Sequence, residues 1–124
     1  MKYIIIGSGV AGIAAIEALR SVDRTGEVML IGDDPHGFYS RPGLAYYLTG
    51  ELHDRALFPR TAADFRQLGF SYVKARVAKI MRAEHLLQPE NQPSLSYDRL
   101  LIAVGARAMP LEVPGADLEG ILKL

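Results

Sequence analysis

An α/β fold, a parallel sheet carrying an antiparallel meander, is predicted by three features of this 124-residue chain. The run Ile4-Ile5-Ile6 feeds into Gly7-x-Gly9-x-x-Gly12 and an alanine-rich helical pattern. A second apolar strand, Val28-Met29-Leu30-Ile31, ends at Gly32-Asp33-Asp34, and short alternating strands follow Phe70 before a last apolar run at Leu100 to Val104. Strand, glycine turn, helix and strand in this order make the right-handed crossover of a doubly wound, Rossmann-like sheet.

Each element has its own local signal. Lys2–Ile6 reads as a buried parallel strand, and the helix after it is expected from about Val10 to Arg20, with Ala11, Ala14, Ala15 and Ala18 as a small-residue surface suited to the sheet. Ser21 to Glu27 turn the chain into the second strand, and Pro35-His36-Gly37 marks a loop. Pro42 and Gly50 bracket a short helix, Gly43 to Leu48, with proline in its first turn and glycine past its end. Tyr46 and Tyr47 are adjacent on it and cannot share a face, so one is assigned to packing. Thr61-Ala62-Ala63-Asp64 has the form of a capping box with Asp in place of Glu, opening a helix that stops at Gly69. Phe70–Lys74, Val77–Met81 and His85–Gln88 read as an antiparallel insert in place of a crossover helix. Pro89 to Pro93 reads as a turn and Leu100–Val104 as the last buried strand. Residues 114–124 bring apolar side chains into a new element without a stop signal, the pattern expected of a fragment.

The chain's chemistry concentrates at the glycines. Gly7 permits the sharp turn out of the strand, Gly9 lets backbone approach a diphosphate, and Gly12 lets helix and strand pack closely, while the helix N-terminus offers free N–H groups to an anion. Asp33, 21 residues beyond Gly12, is placed to accept hydrogen bonds from ribose hydroxyls.

Composition removes several other classes. Fourteen basic and fourteen acidic residues balance, and no basic stripe interleaved with aromatics points to nucleic acid. No apolar run approaches the ~18 residues of a membrane span. The apolar start is broken by Gly7, Gly9 and Gly12 and followed by Glu17, which reads as a strand and turn rather than a secretion signal, so a cytoplasmic location is expected. There is no cysteine, hence no thiolate metal site or redox dithiol in this chain. His36, His53 and His85 lack metal-ligand spacing and receive no role.

Three blocks, in order, resemble the amino-terminal part of the FAD domain in the FAD-dependent pyridine nucleotide-disulfide oxidoreductase superfamily, the glutathione-reductase-like flavoproteins. They are Gly7 to Gly12 with Asp33, then Phe38-Tyr39-Ser40-Arg41-Pro42, then Tyr97-Asp98 through Gly105 to Pro110, with Val104 where the family usually has threonine. The resemblance implies that Gly7, Ser8, Gly9, Val10, Ala11 and Gly12 surround the FAD diphosphate. It places Asp33, with neighbouring Asp34, at the ribose, backbone near Arg76 and Val77 at adenine, and Ala103, Val104 and Gly105 along the cofactor.

The segment after Tyr39 separates branches of the superfamily. Against Cys-Gly-x-Pro-Tyr-Tyr, Pro42 stands where a relay cysteine would be. Against Arg-Pro-x-Leu-Ser-Lys, Arg41, Pro42 and Leu44 are kept and Tyr46 stands at the lysine. The nearest branch is that of rubredoxin-reductase-like and nitrite-reductase-like flavoproteins, which use no cysteine here; Arg41 then faces the flavin or the diphosphate.

The resemblance thus implies an FAD-binding portion, residues 1–124, of an oxidoreductase in which NAD(P)H reduces FAD and electrons pass to a carrier protein or redox centre. It assigns no acid, base or nucleophile to this chain and places the NAD(P)H domain and the rest of the FAD domain outside it. The alternative is a non-catalytic NAD-binding or regulatory module. An isolated fragment with an open sheet edge is expected to bind FAD weakly or not at all, and to be a dimer or larger or to aggregate.

Overall fold

The computed structural model describes residues 1–110 and 112–121. Four strands form a parallel sheet: β1 (Lys2–Ile6), β2 (Glu27–Gly32), β3 (Ser71–Lys74) and β7 (Arg99–Ile102), in the order β3-β2-β1-β7. Three more, β4 (Val77–Met81), β5 (Leu86–Pro89) and β6 (Leu95–Ser96), form an antiparallel meander. The helices are α1 (Val10–Val22), α2 (Gly43–Leu48), α3 (Asp54–Leu57) and α4 (Ala62–Leu68).

Three layers follow from the alternation along β1 and β2. Ile5, Val28 and Leu30 pack with Ile13 and Ile16 of α1 on one face. Ile4, Ile6 and Ile31 pack with Leu87 and Tyr97 of the meander layer on the other. Both faces of these central strands are covered, which is why they read as continuous apolar runs. The pairing of β1 with β7 is fixed at its start by Asp98, which accepts the Lys2 N–H at 2.6 Å and returns its own N–H to the Lys2 carbonyl at 2.9 Å. Tyr97 beside it is buried and stacked on His85 at 5.4 Å.

Several expectations are corrected. Phe70–Lys74 does not join the meander: β3 extends the parallel sheet, pairing Met29 with Ser71 through Gly32 with Lys74. Alternation marks a one-sided strand but not its direction. The sheet-facing side of α1 is Gly12, Ile13 and Ile16 with half-buried Ala15 against them, while Ala11, Ala14 and Ala18 are exposed; the larger side chains fill most of the interlayer space and three of the four alanines face water. The last strand is not a buried one, because β7 is an outer strand of the sheet and Leu101 and Ile102 are exposed. Tyr46 and Tyr47 are both exposed as well, since the short α2 lies on a surface excursion. Pro89, expected in a turn, ends β5 fully buried, opposite Val77 where the register shifts. Residues 112–121 form turns, and the element expected to follow at 122–124 lies outside the described residues.

The capping box of α4 is present: Thr61 Oγ1 accepts the Asp64 N–H, the Asp64 carboxylate accepts the Thr61 N–H, and Gly69 closes the helix in the left-handed region. The Thr61 N–H and the Thr61 hydroxyl both donate to the Asp64 carboxylate and hold that carboxyl below its ordinary value of 3.8.

Arg20, in the last turn of α1, joins three segments through backbone carbonyls. Its guanidinium donates to Leu68 O at 2.7 Å and Gly69 O at 2.7 Å at the C-terminus of α4, and to Asp23 O at 3.2 Å and Gly26 O at 2.8 Å before β2. Charged donors of this kind contribute about 1.5–3 kcal/mol and are not additive. Arg20→Met keeps the aliphatic stem and is expected to lower stability by about 2–3 kcal/mol, read as a lower urea midpoint with an unchanged slope. A midpoint equal to that of the unaltered chain would mean that water replaces the guanidinium without loss.

Candidate functional site

The chain turns from β2 to β3 on one side of β1 and crosses to the other side for β7, so β1 and β7 flank the sheet's topological switch point. In open α/β sheets ligands settle outside the carboxyl ends of the strands at such a point. A groove of about 890 Å³ lies there, toward the upper end of the ~300–1,000 Å³ of small-molecule sites.

Its floor is the glycine turn. Gly7 donates its N–H to Ile31 O at 2.7 Å and has φ +110°, a backbone shape that favours glycine. Gly9 is the N-cap of α1, extended at φ −79° and ψ −174°, with no side chain capping the helix. The first N–H groups of α1, at Val10 and Ala11, therefore have no intrahelical acceptor and stand at the groove. A β-carbon on Gly9 would meet no atom within 4 Å, so the turn leaves room there for a ligand to reach the backbone. Gly12 lies behind this surface: a β-carbon on it would sit 2.0 Å from the Gly7 carbonyl oxygen. Its role is to let α1 press against the turn.

The walls come from three places along the strands. Asp33 and Asp34 follow β2, Arg76 and Val77 lie at the start of the meander, and Ala103, Val104 and Gly105 follow β7. Arg41 reaches in from the loop before α2. Ser8 also lines the groove, whereas Pro42 stands outside it as the N-cap of α2. Sequence reasoning missed Ile80, Ile102 and Arg107, which extend the walls. Arg107 had a signal, lying two residues past Gly105 within the third matched block.

The two adjacent acids differ. Asp33 is exposed along the groove, with its carboxylate presented to solvent. Asp34 is turned inward: one carboxylate oxygen accepts the His36 N–H at 2.9 Å and the other accepts Arg41 Nη2 at 2.9 Å. Arginines 41, 76 and 107 and aspartates 33 and 34 give the lining three positive and two negative side chains, so its formal charge suits an anion carrying hydroxyls nearby.

This arrangement fits a dinucleotide cofactor. An uncapped helix N-terminus offers N–H groups to a diphosphate, Gly9 leaves the approach open, and an exposed carboxylate stands at the end of the neighbouring strand.

Sheet order, glycine turn and groove define a Rossmann-like α/β protein. A model of the family described as pyridine nucleotide-disulphide oxidoreductase matches residues 1–124, and the chain belongs to that family. Members of the family use FAD, with NAD(P)H as co-substrate.

The chain is 39% identical over 124 residues to the ferredoxin–NAD(+) reductase component of the biphenyl dioxygenase system of Paraburkholderia xenovorans, covering 94% of this chain and 29% of that protein. It is 36% identical over 124 residues to rhodocoxin reductase of Rhodococcus erythropolis, covering 98% of this chain and 29% of that one. The crystal structure of a covalent putidaredoxin reductase–putidaredoxin complex superposes with a TM-score of 0.83 at 29% identity, over 90% of this chain and 27% of that one. The chain thus spans about three tenths of the length of the curated relatives it matches. No helix among the described residues is long and apolar enough to cross a membrane.

Proposed function

We propose that the groove holds FAD, that residues 1–124 are the N-terminal part of one FAD-binding domain, and that the whole protein is an NAD(P)H-dependent reductase delivering electrons to a small carrier protein. The observation that carries this reading is the meeting, at the switch point, of the uncapped α1 N-terminus with open space at Gly9 and an exposed Asp33. The electron-carrier class is supported by the relatives, which include reductases named for ferredoxin and rhodocoxin and one captured with putidaredoxin.

Bound FAD would accept hydride from NAD(P)H and release electrons to the carrier. The chain's own residues bind and orient. The N–H groups at the start of α1 receive the diphosphate, Asp33 accepts from ribose hydroxyls, and backbone near Arg76 and Val77 flanks adenine. Ala103, Val104 and Gly105 run beside the cofactor, and Arg41 supplies positive charge. With no cysteine in its sequence, this chain contributes no thiol to the relay.

The test is flavin absorbance of the purified whole protein, with NADH- or NADPH-dependent bleaching under anaerobic conditions. A protein that neither carries nor takes up flavin would overturn the reading. Within it, Asp33→Ala is expected to weaken FAD binding by about 1.5–3 kcal/mol, the range for hydrogen bonds to a charged group. Calorimetric titration that finds unchanged affinity would remove Asp33 from the ribose site.

A further inference from the structure

We infer that Asp34 and Tyr39 are positioning residues for Arg41, holding its guanidinium at the groove so that it meets the ligand's phosphates already oriented; this rests on the reading of the groove as a diphosphate site. Arg41 precedes a six-residue helix on a surface excursion, and its side chain is 65% exposed. An unrestrained arginine there would sample many rotamers, and ordering it on binding would oppose affinity.

Two groups restrain it. Asp34 accepts Nη2 at 2.9 Å, and the Tyr39 ring lies 5.1 Å from the guanidinium carbon, within cation–π range. Both restraining groups are themselves fixed. The Asp34 side chain is only 16% exposed and is anchored by the His36 N–H, while Tyr39 rests against Phe58 with ring centroids 6.3 Å apart. Asp34 thereby has both oxygens engaged within the chain, and of the adjacent acids it is Asp33 that remains for ribose.

The inference makes a prediction opposite in sign to simple charge counting. Removing a carboxylate from the wall of an anion site should strengthen anion binding by Coulomb's law alone. A positioning role requires the reverse. Asp34→Asn retains an oxygen for the His36 N–H and removes only the charged contact to Arg41.

The probe is ADP, which carries the diphosphate, ribose and adenine, titrated into the flavin-free whole protein and followed at the amides of the glycine turn by NMR, a method that reads millimolar affinities. Asp34→Asn and Tyr39→Leu are each expected to weaken ADP about three- to tenfold. On an Arg41→Gln background, Asp34→Asn should have no further effect. In the unliganded chain, relaxation of the Arg41 Nε–H should show a more mobile guanidinium in both variants than in the unaltered chain.

Tighter or unchanged ADP binding in Asp34→Asn, or an equally ordered guanidinium, overturns the positioning role and leaves the groove assignment standing. Failure of the unaltered whole protein to bind ADP at the glycine turn overturns the groove assignment and the positioning role together.

Discussion

Gly9→Val is expected to leave the fold intact and to weaken FAD binding by on the order of a hundredfold or more, through loss of charge-assisted hydrogen bonds worth about 1.5–3 kcal/mol each. The N-cap of α1 has an extended backbone that any L residue adopts, and a β-carbon there enters open space. The substitution should therefore cost no more than about 1 kcal/mol of stability, the usual penalty of a poor N-cap residue. That open space is the groove, and a branched side chain in it stands between the diphosphate and the N–H groups of α1. Thermal unfolding and FAD titration on the same preparation separate the two effects. A folded variant that still takes up flavin stoichiometrically and tightly would show that the diphosphate lies elsewhere.

The other glycines of the turn should behave in the opposite way. Gly12→Ala would ordinarily stabilise a helix by about 1 kcal/mol, yet here the new methyl would lie 2.0 Å from the Gly7 carbonyl oxygen. Gly7→Ala would force a positive φ on an L residue and bring its methyl to 2.2 Å from the Ala103 carbonyl oxygen. In both cases the obstacle is backbone, which cannot swing aside as a flexible side chain does. Each substitution is expected to lower stability by at least about 3 kcal/mol, the upper range for overpacking, with lost helical ellipticity or a much lower denaturant midpoint as the readout. If Gly12→Ala raises the midpoint, as helix propensity alone predicts, the close approach of α1 to the turn is not present in solution.

These contrasts show what the sequence makes legible. The spacing of Gly7, Gly9 and Gly12 locates the turn and gives each glycine its part, and the geometry supplies what spacing cannot, the backbone atoms that a side chain at Gly7 or Gly12 would strike and the open space at Gly9. β1, β2, α2 and the cap of α4 are read correctly because each carries a local signal: a continuous apolar run, bracketing proline and glycine, or a Thr-to-Asp reciprocal cap. β3 is misplaced because an alternating run of four or five residues looks the same beside a parallel or an antiparallel partner. α3 and β6, at four and two residues, are too short for any period to register. The exposure of Leu101 and Ile102 is invisible to hydropathy, which reports what a side chain prefers and not which neighbour covers it. Within the groove the residue types near Asp33 were legible, whereas the inward turn of Asp34 depends on the His36 N–H and on Arg41.

The pairing of β1 with both β2 and β7 also has a kinetic meaning. Lys2 meets Glu27 across the single α1 crossover between parallel strands, but its contact with Asp98 spans 96 residues. In equilibrium terms the longer closure adds only about 0.6 kcal/mol per doubling of loop length. In rate terms such non-local pairings are slow to form. The β1-α1-β2 unit can assemble before the Ala103 N–H reaches the Ile6 carbonyl, so the turn at Gly7 is expected to gain that neighbour late in folding. A chain stalled before that step would hold the whole glycine fingerprint in sequence and much of α1 in shape, yet have only one bank of its groove.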